Sequence, residues 1–281
     1  MIELTEQQLE RFQADGCLLL ENFYDRRSEI EPIQQGAYDI IGLVGEQHGV
    51  DLDRQPFAPE TFDQGFMDLV RADRRLGSVV YDAVKQLAPF VRLTAHSANE
   101  AVFKQIRNAR AAGVAGGGSG IRIDIPGEEK YRAAWHQEYP AQFRSLDGLV
   151  FWSPLRTMTA DLGPVDICVG SHREGLLQVF EEDQATYGRA GAYALRIARE
   201  QEIIEKYPHV HPLAKPGDVL LMDFLTVHAS GYNTSPNPRW SMQLRFFNFD
   251  EPKGRAIDWS GSFAAGVSIA DVHPDLLVPA R

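Results

Sequence analysis

Residues 121–127, Ile121-Arg122-Ile123-Asp124-Ile125-Pro126-Gly127, alternate isoleucine with charged residues and end in a Pro-Gly pair. Successive side chains of a strand point to opposite faces, so this segment predicts a strand with one apolar face, followed by a turn. The same alternation recurs over 165–169 and 240–246, and a more continuous apolar run covers 219–224. Turn signals at 163–164, 216–218 and 235–238 separate these runs. Several short strands with such breaks predict a mainly β protein, a sandwich or a barrel.

The residues that precede this region carry a helical pattern. Apolar residues recur at helical spacing over 30–44 and 76–87, and Thr5 with Gln8 forms a capping-box pattern. A short buried strand is predicted at 17–20, directly after Gly16. We therefore predict a single domain over 1–281, with a mainly helical flank over 1–110 and a barrel core over 121–250.

Two segments interrupt the strand pattern. The glycine-rich stretch 113–120 is followed by a strand and not by a helix, so it predicts a flexible loop and not a phosphate cradle. Residues 176–207 are polar and helix-like, and they predict a helical insertion between strands. Both segments exceed the usual connection length, so we expect them to flank the barrel mouth and close over a substrate. The alternative is an insertion that packs as a surface helix away from the site.

The composition of the chain limits the classes of partner that the protein is expected to bind. The chain has 281 residues, 44% of them hydrophobic, and a formal net charge of −11. An acidic chain argues against nucleic acid, because phosphate binding needs clustered Lys and Arg. No apolar run approaches the roughly 20 residues of a membrane span, and the N-terminus does not read as a signal peptide. Cys17 and Cys168 form no CxxC pair and predict buried, reduced thiols in a cytoplasmic protein, while the oligomeric state is not indicated.

A candidate metal site begins at Trp135-His136-Gln137-Glu138. In a strand, His136 and Glu138 point to the same face and reach one metal ion, while Gln137 points away. His228 ends the buried run 219–227 and is a candidate third ligand, although a core histidine bonded to a backbone carbonyl fits the same pattern. Two histidines and one carboxylate leave open positions on iron(II), as in non-haem iron oxygenases. His209-Val210-His211 has the same spacing, but without a carboxylate in place we interpret it as a surface edge strand.

Several residues are candidates for binding a cosubstrate or a substrate. Arg239 and Ser241 project to one face of the strand after His228, where a guanidinium and a hydroxyl suit a carboxylate. Arg245 lies on the same face and is the second candidate for that carboxylate. The candidate substrate pocket comprises Arg122, Asp124, Gln137, Trp152 and Arg245. An alternative for Arg239 is an exposed arginine in a loop. An alternative for 122–124 is an ordinary half-exposed strand without a role in binding.

In order and spacing, these motifs make the chain similar to bacterial branches of the phytanoyl-CoA dioxygenase family of iron(II)/2-oxoglutarate oxygenases. The resemblance covers nearly the whole chain. It is carried by residues 4–12, 15–16, 21–23, 122–127, 135–140, 163–164, 170–172, Gly175, 217–218, His228, 233–235, Arg239 and Arg245.

The resemblance implies a double-stranded β-helix, the jelly-roll barrel of cupin-like proteins, with the N-terminal helices packed outside. It implies that His136 and His228 match the family's two histidine ligands and that Arg239 holds the far carboxylate of 2-oxoglutarate. The family usually has aspartate at the position of Glu138, so this chain carries one additional methylene there. The implied cofactor is Fe(II), with 2-oxoglutarate and O2 as cosubstrates.

The activity implied by the resemblance is hydroxylation of an unactivated C–H bond in a small organic substrate, with release of succinate and CO2. Relatives that halogenate have a small residue at the carboxylate position, and Glu138 fills that position here. Two alternatives remain: a non-catalytic ligand-binding protein on the same barrel, and a cupin-like metal enzyme that does not use 2-oxoglutarate. The sequence does not name the substrate, but the absence of a dominant basic cluster favours a small polar compound or natural product over a CoA ester.

Overall fold

The computed structural model describes residues 3–182, 194–261 and 266–280. The α-helices are α1 Glu6–Asp15, α2 Glu31–His48, α3 Phe66–Ala72, α4 Arg74–Val84, α5 Ala88–Thr94, α6 Ser97–Arg107, α7 Tyr139–Gln142, α8 Glu200–Lys206, α9 Pro252–Ala256 and α10 Ile269–Val272. A π-helical turn, Arg26–Ile30, precedes α2, and short 3-10 segments lie at Pro59–Thr61, Glu129–Tyr131, Ala160–Leu162, Ser171–Glu174 and Pro274–Leu276. In the part of the chain just defined, no helix is both long and apolar enough for a membrane span.

The strands form two sheets and a ribbon, all antiparallel. They are β1 Cys17–Leu20, β2 Ala112–Val114, β3 Gly120–Asp124, β4 Gly148–Pro154, β5 Val165–Cys168, β6 Val179–Glu181, β7 Leu195–Ile197, β8 His209–Val210, β9 Val219–Asp223, β10 His228–Ser230 and β11 Arg239–Asn248. The large sheet has the order β1-β9-β4-β11-β2, and β3 also pairs with β11. The small sheet has the order β10-β5-β8, and β6 pairs with β7.

Alternation along β11 separates the two layers of the core. Trp240, Met242 and Leu244 join one apolar cluster with residues of α2 to α6, so the helices cover this face of the large sheet. The indole of Trp240 lies edge-on to the rings of Phe62 and Phe66, at centroid distances of 5.4 and 5.3 Å. The opposite face of the large sheet shares a second apolar cluster with β5 of the small sheet. The two sheets thus face each other, and the space between them is available for a site.

The predicted elements and the observed ones agree in part. The capping box at Thr5 and Gln8 is confirmed, as are the strand at 17–20 and the helices over the two apolar repeats. The helices packed outside the sheets are confirmed, but "mainly β" is not, because the described helices contain more residues than the strands. The helical flank is this extensive because one entire face of the large sheet is apolar and must be buried.

The insertion at 176–207 is not simply helical, and this part of the prediction was wrong. Its described residues form the β6–β7 ribbon and the short helix α8. Residues 183–193 lie outside the described residues. Near the start of the helical pattern over 194–206, three residues form strand β7 and pair with β6. They do so because Leu195 is buried in the second apolar cluster and Ile197 is buried against Ile203 of α8. The glycine-rich stretch 113–120 connects β2 to β3, and its first two residues belong to β2.

Candidate metal centre

His136, Glu138 and His228 converge at one end of the space between the sheets. His136 and His228 form an isolated antiparallel bridge, with N–O distances of 3.0 Å in both directions. Glu138 does not continue a strand: it has helical backbone angles and immediately precedes α7. Its Oε2 lies 3.9 Å from Nε2 of His136 and 3.8 Å from Nε2 of His228. The three potential ligand atoms all lie within 4.8 Å of one another.

Backbone carbonyls fix the tautomer of both histidines. Nδ1 of His136 lies 2.7 Å from the carbonyl oxygen of Ala134, and Nδ1 of His228 lies 2.9 Å from that of Thr226. A carbonyl only accepts, so each Nδ1 carries the proton and each neutral ring presents the Nε2 lone pair to Glu138. Two lone pairs and a carboxylate oxygen that face each other repel unless a cation lies between them. Metal-binding histidines are held in this way, so the donor set fits a metal ion.

The charges around Glu138 keep its carboxyl ionised, which favours the binding of a cation. Burial alone raises the pKa of this carboxyl, but the surrounding groups, the Arg245 guanidinium foremost, outweigh it and lower the pKa to about 2. Nε of Arg245 donates to Oε1 of Glu138 at 2.8 Å, which leaves Oε2 for the histidines. Burial also lowers the pKa of His136, and burial together with the nearby His136 lowers that of His228 to about 3. At neutral pH the carboxyl is therefore ionised and both rings are neutral.

A cavity of about 320 Å³ opens beside these three residues, between the two sheets. Four residues of the candidate substrate pocket line the cavity: Arg122, Gln137, Trp152 and Arg245. Among the described residues, the side chain of Gln137 nevertheless forms hydrogen bonds with backbone groups. Its Nε2 donates to the carbonyls of Gly175 and Leu225, and its Oε1 accepts from the backbone N–H of Leu177. The side chain of Gln137 therefore holds loops together and offers no free polar group to a ligand.

Both interrupting segments reach the cavity. Residues 117–120 of the glycine-rich stretch line one wall, and Val179, Leu195 and Ile197 of the β6–β7 ribbon line another. Nη1 of Arg245 donates to the carbonyl of Gly118 at 2.5 Å, so the same guanidinium contacts both Glu138 and the glycine-rich segment. The expected position of the two segments beside the site agrees with this arrangement.

Arg239, Ser241 and Asp124 do not line the cavity. Arg239 is buried, its Nη2 and Nε donate to Oδ2 of Asp124 at 2.7 and 3.2 Å, and its Nη1 donates to the carbonyl of Gly163. Arg122 donates to the same carboxylate at 2.8 Å. Burial raises the pKa of Asp124, but the two guanidiniums outweigh it, so the net pKa is lowered. The expectation that Asp124 faces a substrate was wrong, because it lies directly across from Arg239 in the β3–β11 pair.

Ser241 occupies the position next to this network on the inner face of β11. Its side chain is fully buried, and Oγ has no hydrogen-bond partner among the described residues. A buried hydroxyl without a partner is destabilising by about 1–3 kcal/mol.

Sequence reasoning missed two amide side chains that line the cavity. Gln243 accepts from Nη2 of Arg245 at 2.6 Å, and Gln142 donates to Oε1 of Glu138 at 3.3 Å. The alternation of β11 places Gln243 between Ser241 and Arg245, so the sequence carried a signal for it. Gln142 lies four residues after Glu138, and only the short helix α7 brings it back to that carboxylate.

Fold and site together define a class: two antiparallel sheets that enclose two histidines and one carboxylate, a donor set suited to one metal ion. The family model for phytanoyl-CoA dioxygenase (PhyH) matches residues 12–241. The chain belongs to this family. It is 31% identical over 99 residues to the phytanoyl-CoA dioxygenase domain-containing protein 1 homolog of Dictyostelium discoideum, covering 35% of this chain. The match spans only about a third of that relative, 34% of its length.

Solved structures share the fold at low sequence identity. EctD from S. alaskensis, crystallised with 2-oxoglutarate and 5-hydroxyectoine, has 18% identity and a TM-score of 0.58, over 88% of this chain and 77% of EctD. The carbocyclase SnoK from nogalamycin biosynthesis has 14% identity and a TM-score of 0.55, over 87% and 84%. The epimerase SnoN, in complex with Fe3+, alpha ketoglutarate and nogalamycin RO, has 17% identity and a TM-score of 0.55, over 86% and 83%.

Proposed function

We propose that this protein is an iron(II)/2-oxoglutarate-dependent dioxygenase with a jelly-roll core, and that it hydroxylates a C–H bond of a small organic molecule. The observation that carries the proposal is the convergence of His136, Glu138 and His228, with fixed tautomers, beside a cavity in a chain of the phytanoyl-CoA dioxygenase family. In this proposal these three residues hold Fe(II). The iron supplies oxidative chemistry that no side chain of the protein provides.

The protein's own groups have separate tasks in this scheme. Arg245 holds Glu138 through Oε1, so that Oε2 stays directed to the metal position. The apolar wall formed by Val150, Trp152 and Met222 excludes water from the place where the C–H bond is oxidised. The carboxylate of Glu138 accepts from Arg245 through Oε1 and faces both histidines through Oε2.

For the distal carboxylate of 2-oxoglutarate we propose Arg239 and Ser241. Two features support this: the family position of Arg239, and the buried Ser241 Oγ that has no hydrogen-bond partner among the described residues. Arg122 and Arg239 both donate to the carboxylate of Asp124, so two guanidiniums lie next to this position. Because Asp124 occupies Arg239 in this structure, the cosubstrate carboxylate has to displace or share that contact.

The proposed substrate is small. A cavity of about 320 Å³ with a mixed polar and apolar lining accommodates a compact metabolite in addition to the cosubstrate. The proteins with this fold that were crystallised with 5-hydroxyectoine and nogalamycin RO bind small organic molecules. A ligand-binding protein without catalysis is the second candidate, favoured by one observation: the Glu138–Arg245 ion pair already satisfies one oxygen of the carboxylate.

An anaerobic titration separates the two functions. We expect the metal-free protein to bind one Fe(II) per chain and then, on addition of 2-oxoglutarate, to show the weak visible charge-transfer band of the chelate. Admission of O2 should release succinate. A protein that takes up no iron at equimolar concentration, and shows no band, would contradict the proposed function. Iron uptake without 2-oxoglutarate binding would point to the cupin-like alternative.

A further inference from the structure

A second group of metal-binding side chains lies on the outer face of the small sheet, away from the cavity. His209 and His211 are two residues apart along the edge strand β8 and the residue that follows it. In the register of the β5–β8 pair, Cys168 lies opposite His209. The carboxylate of Asp166, two residues before Cys168, contacts both His209 and His211. Val165, beside Asp166, points inward and lines the cavity, so Asp166 points outward. The expectation that no carboxylate accompanies His209 and His211 was therefore wrong.

The three side chains converge as closely as those of the cavity site. Nδ1 of His209 lies 2.9 Å from Oδ1 of Asp166, and Nε2 of His211 lies 3.2 Å from Oδ2. One ligand atom from each residue lies within 4.8 Å of the other two. Donor atoms around a tetrahedral metal, at bond lengths of about 2.0–2.2 Å, are separated by roughly 3.3 Å. The observed separations match this arrangement after small side-chain shifts.

The tautomer of His209 is the strongest sign that a cation belongs here. Its Nε2 lies 3.0 Å from the carbonyl oxygen of Ile204 in α8, and a carbonyl only accepts. Nε2 is therefore the protonated nitrogen of the neutral ring, and the Nδ1 lone pair faces the Asp166 carboxylate. Oδ1 of Asp166 is buried and has no hydrogen bond among the described residues. A lone pair and an anionic oxygen at this distance require a positive charge between them, which is either a proton on Nδ1 or a metal ion.

We propose that Asp166, His209 and His211 form a second site for a divalent transition-metal ion, of which Zn(II) is the representative. Imidazole nitrogens with one carboxylate suit Zn(II), Ni(II) and Cu(II), and a hard ion such as Mg2+ prefers oxygen ligands alone. The Ile204 carbonyl orients His209 as outer-shell carbonyls orient metal-bound histidines. His211 is half exposed, with 53% of its side chain accessible, so water completes the coordination.

The outer site is separate from the cavity site but connected to it by one side chain. The Trp135 indole lies edge-on to the His209 ring, with centroids 5.3 Å apart, and Trp135 directly precedes His136. Cys168 Sγ lies 3.6 Å from Nε2 of His209. An ion at the outer site therefore changes the surroundings of Trp135.

Equilibrium dialysis of the metal-free full-length chain against Zn(II) tests this site. We expect two ions per chain in the wild type, one in His211→Ala, one in His228→Ala and none in the double variant. Loss of a ligand should weaken the outer site by more than about 100-fold, since loss of an outer-shell partner alone weakens metal binding about 10–100-fold. His48→Ala, at an exposed histidine of α2, is the matched control and should bind two ions.

The outcomes separate this inference from the proposed function. If the wild type binds one ion that His211→Ala abolishes, the outer site stands and the cavity site fails. Two results would overturn the outer site. In the first, the wild type binds one ion, and only His228→Ala abolishes it. In the second, His211→Ala binds as many ions as the wild type, and in either case a proton bridges His209 and Asp166. Asp166→Asn keeps the shape of the side chain and removes its charge. If the outer site is real, this variant must bind one ion fewer than the wild type, as His211→Ala does. Circular dichroism confirms that each variant is folded.

Discussion

Arg239 and Arg245 lie on the same face of β11 and have different partners. Arg239 donates hydrogen bonds to Asp124 and does not line the cavity. Arg245 lines the cavity and donates a hydrogen bond to Glu138. We expect Arg239→Ala to weaken 2-oxoglutarate binding by about 2–4 kcal/mol, because a buried cosubstrate carboxylate loses a charge-assisted bidentate partner. Iron affinity should change much less. Anaerobic titrations of Fe(II), followed by 2-oxoglutarate, measure both quantities.

The matched control for Arg239 is Arg245→Ala, which removes an arginine from the same strand face. It should weaken 2-oxoglutarate less than Arg239→Ala does and affect the metal more, since Glu138 loses its partner at Oε1. If Arg245→Ala is the more damaging change for the cosubstrate, the roles of the two arginines are reversed. Unfolding curves of both variants show whether either loss reflects damage to the fold.

The lowered pKa of His228 makes the stability of the metal-free protein depend on pH. The pKa is about 3 in the folded protein, against an ordinary value of 6.5. As the pH falls below about 6.5, the unfolded chain takes up a proton that the folded protein refuses, so the free energy of unfolding decreases by up to about 1.4 kcal/mol per pH unit. His136 acts in the same direction. Urea unfolding with chelator at pH 7.5 and 5.5 measures the slope.

The variant His228→Gln is the comparison for this slope. It removes one group that titrates and leaves the other histidines in place, so its free energy of unfolding should fall less between the two pH values. Equal slopes for the variant and the wild type would show that His228 is not held neutral by its surroundings. Carboxyl groups titrate mostly below this pH range and contribute little to the difference.

At the residue scale, the sequence predicted that His136, Glu138 and His228 come together, but not their local geometry. His136 and Glu138 were placed two apart on a strand, whereas Glu138 precedes the helix α7. The side chains still converge, because the bridge between His136 and His228 fixes the first two ligands. The pairing of Arg239 with Asp124 depends on the register of β3 against β11, and no local pattern of either strand sets that register.

At the scale of elements, β11 was the most predictable and the β6–β7 ribbon the least. Strict alternation over 240–246 determines which face of β11 meets the helices and which meets the cavity. β6 and β7 have three residues each, too few for an alternation to stand out from chance. They are strands because they pair with each other and pack against the second apolar cluster, and both contacts are tertiary.

The glycine-rich segment 113–120 gives a prediction at this scale. Residues 117–120 line the cavity, and the Gly118 carbonyl accepts from Arg245, which also holds Glu138. We expect Fe(II) with 2-oxoglutarate, under nitrogen, to slow backbone hydrogen exchange in 113–120 and 194–197, and substrate to slow it further, because an occupied cavity restricts local opening. Exchange in α2, which does not line the cavity, serves as the internal control. Equal rates with and without these ligands would exclude closure, and specificity would then depend on Arg122 and Arg245.

At the scale of the whole molecule, helices and large sheet share one core. The cluster that contains Trp240 also contains Phe66 of α3 and residues of the other flank helices. We therefore expect the flank and the sheet to unfold together, as a single cooperative unit. From the switch between helical and strand periods, the sequence predicted a helical flank followed by strands, although neither period shows which helix meets which strand.

Phe66→Ala tests that cooperativity. Phe66 is fully buried and lies edge-on to Trp240, so the change should lower the free energy of unfolding by about 3–5 kcal/mol through the cavity it leaves. Leu43→Ala is the control, since Leu43 of α2 is 62% exposed and should cost little. Because flank and sheet share a core, helical circular dichroism and tryptophan emission should shift to the same lower midpoint. If the helical signal alone shifts, while emission keeps the wild-type midpoint, flank and barrel are separate units and the prediction of one domain over 1–281 is wrong.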